Sequence, residues 1–113
     1  MNETLNKIKL VWINEINNTD YMFHKLENII SIDLSKFNSS LITSMNYTFS
    51  NCKNLKSINF NKINTSLVIS MENMFEGCIF LSTINNFKQL NTSKVISMTC
   101  MFKNCQKIRT LDF

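Results

Sequence analysis

Four cysteines are the residues of this chain best suited to chemistry. Cys52, Cys78 and Cys105 follow one another at steps of 26 and 27 residues, so each occupies the same place in a recurring pattern. Thiolates in such a pattern could form disulfides or bind a metal. Metal sites usually draw their ligands from close pairs such as Cys-x-x-Cys, and the chain has no such pair. Leu26 stands one step earlier, so we expect an apolar position with buried, reduced thiols and no metal.

Disulfides between the recurring cysteines are not expected. The surrounding pattern predicts short helices, and packed helices keep their axes about 8 to 10 Å apart, whereas a disulfide needs Cα atoms within about 7 Å. Cys100 differs, because Tyr21, Tyr47 and Asn73 stand at its position in the other copies. We expect this position to face outward, which makes Cys100 the best candidate for a reactive thiol.

Carboxylates and histidine give no catalytic arrangement. Asp33 and Asp112 share a repeat position but lie three copies apart, about 14 Å at strand spacing, beyond the reach of a glycosidase pair. Glu72 and Glu76 form an i, i+4 pair that we expect to face water, and His24 is the only histidine, at a variable polar position that predicts exposure. The chain also lacks a glycine-rich phosphate loop, a nucleophile elbow and a Cys/His pair, so the sequence predicts neither an enzyme nor a cofactor site.

The elements that position these residues belong to a repeat. Phenylalanines recur at steps of 26, 26 and 27 residues, at Phe23, Phe49, Phe75 and Phe102. A fixed period of this length is the signature of a solenoid, in which stacked coils bury a continuous core that no coil could bury alone. The single longer step implies one inserted residue before Phe87, either Asn85 or Asn86.

Two periodicities inside each copy predict its secondary structure. The spacing i, i+3, i+4, i+7 indicates one face of a helix about two turns long, and it is met by Met71, Met74, Phe75 and Cys78. The segment 56–61 alternates apolar and polar residues, which predicts a short strand with one buried face. Each coil is therefore predicted to contain a strand, a turn and a short helix.

Asparagine-led triplets mark the predicted turns. They occur at 38–40, 64–66 and 91–93 and read Asn-Ser-Ser or Asn-Thr-Ser. Asn, Ser and Thr side chains bond to nearby backbone groups and so favour turns. The same triplets fit the pattern for N-glycosylation, but we favour the turn interpretation because the chain is rich in Asn.

The predicted organisation is one domain. Residues 1–19 form an N-terminal cap or degenerate coil, and residues 20–113 form three full repeats and a truncated fourth. Stacked coils place equivalent strands in a parallel sheet. The last predicted strand, at 111–113, would leave an edge that could pair with another chain. The fold class is thus α/β, a solenoid whose coils each hold a short parallel strand and a short helix.

Charge and hydropathy disfavour several function classes. The net charge is +4, and lysines recur after the strand at Lys36, Lys62 and then Lys88 or Gln89. Nucleic-acid binding would need a denser basic stripe with stacking partners, and Arg109 is the only arginine, so we interpret these lysines as a solvated edge that discourages aggregation. No apolar run reaches 18 residues and no signal peptide begins the chain, so we expect neither membrane insertion nor a recognisable export signal in it.

The stretch 63–78, Ile-Asn-Thr-Ser-Leu-Val-Ile-Ser-Met-Glu-Asn-Met-Phe-Glu-Gly-Cys, followed by Leu81 and Ile84, resembles the repeat of BspA-like surface proteins. The resemblance covers about residues 19–113, with Leu26 in place of Cys and Thr48 in place of Met as departures. It implies a right-handed solenoid of the leucine-rich-repeat kind. It also implies a surface protein, at the cell surface or outside the cell, that adheres to host matrix or to other cells.

The functional expectation is a non-catalytic interaction module that presents the outward strand residues to a protein or glycan. The face has no aromatic residues, so we expect weak binding per coil and a need for avidity. The alternative is a structural spacer, or a fragment of a longer surface array, with no ligand of its own. The candidate ligand-binding residues are Ser31, Asp33, Ser57, Asn59, Thr83, Asn85, Thr110 and Asp112.

Overall fold

A computed structural model describes residues 7–9 and 16–109, and these residues contain one four-stranded parallel sheet. The strands, in sheet order, are β1 (Lys7–Lys9), β2 (Ser31–Asp33), β3 (Ser57–Asn59) and β4 (Thr83–Asn85). The parallel sheet predicted from the sequence is confirmed, and β3 occupies the middle of the predicted strand at 56–61. We call residues 20–45, 46–71, 72–98 and 99–113 repeats 1 to 4.

Residues that are equivalent in sequence are neighbours in the sheet. Ile32 pairs with Ile58, and Ile58 pairs with Ile84. The first strand joins the same register through Ile8 and Ile32. A second line of parallel bridges links successive repeats away from the sheet, at Asn18, Ser44, Ser70 and Ser97. Neighbouring repeats are therefore connected along two separate lines of backbone.

The core contains a column of phenylalanine rings. Ring centroids are 5.5 Å apart for Phe23 and Phe49, 5.5 Å for Phe49 and Phe75, and 5.2 Å for Phe75 and Phe102. The rings are nearly parallel, with interplanar angles of 5°, 6° and 8°. Phe60 packs edge-on against two of them at 6.3 Å. The expected alignment of the four phenylalanines is confirmed.

The predicted two-turn helices are wrong. The described residues contain no α-helix, and the segment that includes Met71, Phe75 and Cys78 consists of turns. Its apolar residues are nevertheless completely buried, so the pattern identified the inward face correctly. Two residues of this segment lie in the left-handed region of φ, Asn73 at 55° and Gly77 at 76°. A right-handed α-helix requires φ of about −63° at every residue, so it cannot continue through these two positions.

Backbone hydrogen bonding explains why the turns replace a helix. Alternate N–H groups of one repeat donate to carbonyls of the next: Met45 to Ser70 and Phe49 to Met74, each at 2.9 Å. Intervening N–H groups close tight turns, as Cys52 does with the carbonyl of Phe49 at 3.2 Å. Every donor used between repeats is unavailable for an i→i−4 bond. Tertiary contacts between repeats thus override the helical periodicity.

The structure identifies Asn86 as the inserted residue. Asn59 pairs with Asn85 in the sheet, and the N–H of Phe60 donates to the carbonyl of Asn85 at 3.0 Å. Asn86 has φ 64° and donates its side-chain amide to Asn59 Oδ1 at 3.2 Å. A short 3₁₀ helix, Phe87–Gln89, follows it, and Phe87 is buried. The extra residue is therefore accommodated in a local loop, and the core column continues.

The turn interpretation of the asparagine-led triplets is confirmed. In each triplet the first side chain accepts a bond from the N–H two residues later: Ser40 to Asn38 at 3.2 Å, Ser66 to Asn64 at 2.9 Å and Ser93 to Asn91 at 3.0 Å. These are Asx-turns, in which the side-chain oxygen satisfies a backbone donor at a bend.

Within the described part of the chain, no helix is long and apolar enough to cross a membrane.

Candidate functional site

The first outward row of the sheet consists of hydroxyl side chains in register. Ser31 pairs with Ser57, and Ser57 pairs with Thr83. Ser31 and Ser57 are half-buried, and Thr83 is exposed. None of the three hydroxyls hydrogen-bonds to another described residue, so each retains a donor and acceptors for a ligand. Thr110, the predicted next member of this row, lies outside the described residues.

In the second outward row of the sheet, the side chains of Asp33 and Asn59 form hydrogen bonds within the chain. Asp33 accepts the N–H of Ser35 at 2.9 Å and the side-chain amide of Asn59 at 3.4 Å. Asn59 in turn accepts the N–H of Asn61 at 3.0 Å. Asn85 continues the row in the sheet and is exposed. Asp33 and Asn59 therefore close turns and bridge repeats, while the predicted fourth member, Asp112, lies outside the described residues.

The recurring cysteines form a row of thiols that donate to backbone. Sγ of Cys52 donates to the carbonyl of Phe23 at 2.9 Å, and Sγ of Cys78 donates to that of Phe49 at 3.1 Å. Cys105 repeats the contact with Phe75 at 3.0 Å. Each thiol thus reaches one repeat back and satisfies a carbonyl beside the phenylalanine column. The repeat spacing revealed the shared position, but this thiol–carbonyl bond gave no signal in the sequence.

Burial keeps these thiols protonated. Desolvation raises the pKa of Cys52 to about 11 and that of Cys105 to about 11, and in both cases a backbone hydrogen bond lowers it slightly. The pKa of Cys78, at the centre of the row, is raised more strongly, again mainly by desolvation. Because the thiolate is the nucleophile and the metal ligand, these three cysteines are poorly reactive in the folded chain.

The cysteines are free, but the helix spacing from which we expected this does not occur, because the described residues contain no α-helix. Repeats joined by direct backbone hydrogen bonds lie at strand-like spacing, about 4.8 Å, and not at the 8 to 10 Å of packed helices. All four cysteines are nevertheless unpaired; Cys52 and Cys78 are buried as expected, whereas Cys105 is only half-buried. Cys100 is exposed, as its repeat position predicted. Among the described residues, no group of three or more His, Cys, Asp or Glu side chains could hold a metal.

A further polar row was not predicted. The side chains of Asp20 and Asn46 each accept a hydroxyl bond from a serine 24 residues later, Ser44 and Ser70, both at 2.6 Å. The same oxygens also accept backbone N–H groups, that of Asn46 at 2.9 Å and that of Glu72 at 2.8 Å. The recurrence of serine at 44, 70 and 97, two residues before a polar acceptor, is the sequence signal that could have revealed this row.

A stacked aromatic pair, in which Tyr21 is exposed and Tyr47 is half-buried, lies at the repeat position shared with Cys100. Tyr21 and Tyr47 stack with ring centroids 4.6 Å apart and an interplanar angle of 6°. His24 packs edge-on against Tyr21 at 5.2 Å. Tyr21 is 53% exposed, and φ is 60° at both tyrosines. The pKa of the Tyr47 hydroxyl is raised by desolvation and then by neighbouring Tyr21 and nearby acidic side chains.

Two polar side chains near this pair are less solvated than expected. His24 is half-buried, and its Nδ1 hydrogen-bonds to the hydroxyl of Ser50 in the next repeat, which is completely buried. His24 is therefore less exposed than predicted, because the neighbouring repeat covers part of its side chain and supplies its hydrogen-bond partner. Glu76 accepts the side-chain amide of Asn73 at 2.6 Å and lies 4.0 Å from Lys103 Nζ.

The sequence matches the model of a protein family over almost the whole chain. The model of a family described as "Mycoplasma protein of unknown function, DUF285" matches residues 1–111. The chain belongs to this family. No curated protein and no solved structure matches it. The DUF285 match includes all four strands, so it covers the hydroxyl row, the thiol row and the tyrosine pair alike.

Proposed function

We propose that the repeats wind into a right-handed solenoid of the leucine-rich-repeat kind, related to the BspA-like surface proteins. The resemblance of segment 63–78 supports this, as do the equal sheet offsets and the phenylalanine column. The short helix of the usual leucine-rich coil is replaced here by turns.

The solenoid proposal makes a simple prediction about length. In a stacked array, stability grows with each added repeat and nearest-neighbour interface. A duplicate of residues 46–71 inserted after residue 71 should therefore raise the free energy of unfolding and the denaturant m-value, measured by urea titration followed by circular dichroism. Loss of cooperative unfolding in the lengthened chain would contradict the stacked architecture.

We also propose that the chain is a non-catalytic interaction module that binds a protein or glycan through the hydroxyl row at the cell surface. The observation that carries this proposal is the row Ser31, Ser57 and Thr83, whose hydroxyls are in register and bond to no other described residue. Hydroxyls repeated at about 4.8 Å offer donors and acceptors to an extended ligand. We leave Asp33 and Asn59 out of the proposed binding residues, because their side-chain oxygens already accept the backbone hydrogen bonds of turns.

The binding experiment uses the hydroxyl row directly. Thr83→Arg and Ser57→Arg should reduce capture of the chain, displayed in multiple copies, on an array of matrix proteins and glycans. Ser93→Arg is the matched control, because Ser93 is also exposed but lies in a turn away from the sheet. Equal capture by all variants would overturn the proposed face. Thermal unfolding of each variant verifies that the fold is retained.

The tyrosine pair favours a second candidate face. Tyrosines are enriched among interface residues that carry binding energy, and the exposed Tyr21 stacks on the half-buried Tyr47, which lies near Glu72 and Glu76. Tyr47→Ala should abolish capture if this face binds and leave it unchanged if the hydroxyl row binds. Capture of no ligand by the unmodified multicopy display would favour the structural spacer.

A further inference from the structure

Charge is distributed unevenly between the strand segments of the repeats and the turn segments that join them. The strands with their flanks, residues 27–36, 53–62 and 79–89, contain five lysines and two acidic residues, Glu27 and Asp33. The turn segments, residues 16–26, 37–52, 63–78 and 90–105, contain three lysines and three acidic residues. The excess of positive charge therefore lies in the segments that carry the hydroxyl row.

Two of these lysines occupy the same position in the turns that follow β2 and β3. The carbonyls of Leu34 and Phe60 each accept the N–H of the residue three positions later, at 3.0 Å. These bonds close four-residue β-turns, and the third residues of the two turns are Lys36 and Lys62. Both lysines are exposed. Because the turns follow paired strands, their backbones lie about one strand spacing, or about 4.8 Å, apart.

Further cations border the hydroxyl row itself. Lys7 of β1 pairs with Ser31, so it belongs to the same row of the sheet as Ser31 and Ser57. Lys56 directly precedes Ser57, and its N–H donates to the carbonyl of Ile30 in the previous repeat at 2.7 Å. Lys7 and Lys56 are both exposed. Lysines thus stand before the strands, after them and within the row.

These cations are not neutralised within the described part of the chain. Lys7, Lys36, Lys56 and Lys62 form no ion pair with a described residue. The one acidic residue in the four strands, Asp33, already accepts hydrogen bonds from a turn N–H and from an asparagine amide. The four ammonium groups therefore remain available to an anionic ligand.

We infer that the ligand of the hydroxyl row is an anionic polysaccharide, a sulfated or uronate chain that runs along the stack and crosses the strands. Its anionic groups contact the ammonium groups of Lys36, Lys56 and Lys62, and its hydroxyls bond to those of Ser57 and Thr83. This inference rests on the proposed binding face and names the class of ligand that the face takes.

The groups between the lysines favour a glycan over other polyanions. Proteins that bind single-stranded nucleic acid stack aromatic side chains on the bases, and the four strands contain no aromatic residue. Helices that bind membrane surfaces insert apolar side chains among the headgroups, whereas the outward residues of β2, β3 and β4 are polar. A sugar chain carries hydroxyls beside its anionic groups, so it matches both kinds of group on this face.

Two matched pairs of polymers test the class of ligand. Dextran sulfate and dextran share a backbone and differ in sulfate, and polygalacturonate and its methyl ester differ in carboxylate charge. Multicopy display of the chain should be captured about tenfold or more tightly by at least one charged polymer than by its neutral partner. The pair that shows the difference identifies the anionic group. Equal capture within both pairs would overturn the anionic ligand and leave the hydroxyl face to bind neutral ligands.

A triple variant tests the proposed cations. Lys36→Gln, Lys56→Gln and Lys62→Gln together should weaken capture on the charged polymer about tenfold or more, because three contacts with a dense polyanion are lost. Unchanged capture by this variant would overturn the inference and return these lysines to the role of a solvated edge.

The matched control removes the same charge from the turn segments. Lys25→Gln, Lys94→Gln and Lys103→Gln together lower the net charge equally, and all three residues are exposed. This control should bind the charged polymer as the unmodified chain does. Equal weakening by the two triple variants would mean that net charge alone attracts the polymer, which would overturn the site.

Removal of the hydroxyls separates this inference from the proposed function. Ser57→Ala with Thr83→Val removes two hydroxyls without a change of charge and should weaken capture about fivefold or more. Capture that depends on the lysines but not on these hydroxyls would overturn the hydroxyl face and this inference together. Capture that depends on the hydroxyls but not on the lysines would overturn the anionic ligand alone.

Other polyanions complete the experiment. A DNA duplex and vesicles that contain phosphatidylserine present phosphates without a sugar polymer's hydroxyl pattern. Capture on either one as tight as on the charged polysaccharides would overturn the glycan class. Capture on none of the probes would also overturn the inference, while the array of matrix proteins and neutral glycans still tests the hydroxyl face. Thermal unfolding of every variant distinguishes loss of binding from loss of fold.

Discussion

Phe75 and Phe102 occupy the same repeat position in two different environments. Phe75 is completely buried between the rings of Phe49 and Phe102, whereas Phe102 is half-buried at the open end of the stack. The methionines before them differ in the same way, with Met71 completely buried and Met98 42% exposed. Because the local sequences are so similar, the difference shows that burial in this fold comes from having a neighbour on each side.

The largest expected effect is on the phenylalanine column. Phe75→Ala should cost about 3 to 5 kcal/mol of unfolding free energy, because it removes a fully buried ring and leaves a cavity. Phe102→Ala should cost about 1 to 2 kcal/mol, since part of that ring is already in contact with solvent. Urea titration of both variants measures the difference. Equal losses would show that the end repeat is covered as well as the interior one.

The next effect concerns the left-handed position two residues after each phenylalanine. A Cβ built on Gly77 would lie 2.2 Å from Asn51 Oδ1, and φ there is 76°. Gly77→Ala should therefore cost about 1 to 2 kcal/mol, mainly from backbone strain, because Asn51 Oδ1 is the end of a flexible side chain that can move aside. Asn104→Gly, at the same position in the end repeat, should stabilise by up to about 1 kcal/mol. Thermal unfolding of the pair checks both signs, and a neutral Gly77→Ala would argue against this close contact.

A third prediction uses pH to compare the interior and end thiols. The folded-state pKa of these cysteines is raised, so their contribution to stability is complete below the ordinary thiol pKa of 9.0 and is lost as pH rises through the raised value, about 11 for Cys105. The free energy of unfolding should therefore be lower at about pH 10 than at about pH 8, and solvent screening reduces the share of this loss that comes from the half-buried Cys105.

Cys78→Val and Cys105→Val should each reduce the amount of unfolding free energy that is lost at the higher pH. Urea titration at both pH values measures this loss. The interior thiol should stay resistant to alkylation at higher pH than the end thiol, because its pKa is raised further. An alkaline loss that is identical in the unmodified chain and in both variants would mean that other groups cause it.

The smallest expected effect is at Cys100. This thiol is exposed, so a maleimide should label it in the folded chain while Cys52 and Cys78 react only after unfolding. Cys100→Ser should change stability by less than about 0.5 kcal/mol, as is usual for surface substitutions. Mass spectrometry of peptides from the labelled protein identifies the site. Rapid labelling of Cys78 under native conditions would show that the interior opens readily.

The candidate binding face was predictable in position but not in chemistry. The alternation around Ile58 correctly predicted that Ser57 and Asn59 point away from the core. Sequence alone gave the two rows equal status as ligand-binding residues. The structure separates them, because Asn59 closes an Asx-turn while the Ser57 hydroxyl bonds to no described residue. Asx-turn bonds depend on local backbone geometry, which periodicity does not encode.

The sequence by itself determined which residues share a column: the 26-residue step of Phe23, Phe49 and Phe75 requires that like side chains stack if the repeats pack in register. Only the tertiary structure decided the backbone conformation of the segments between those columns. The spacing around Phe75 satisfies a helix, but Asn73 and Gly77 take left-handed φ values, and the backbone donates to the next repeat instead. Periodicity records which side chains face inward, whereas the choice of hydrogen-bond partner depends on a neighbouring repeat that is present only in the folded chain.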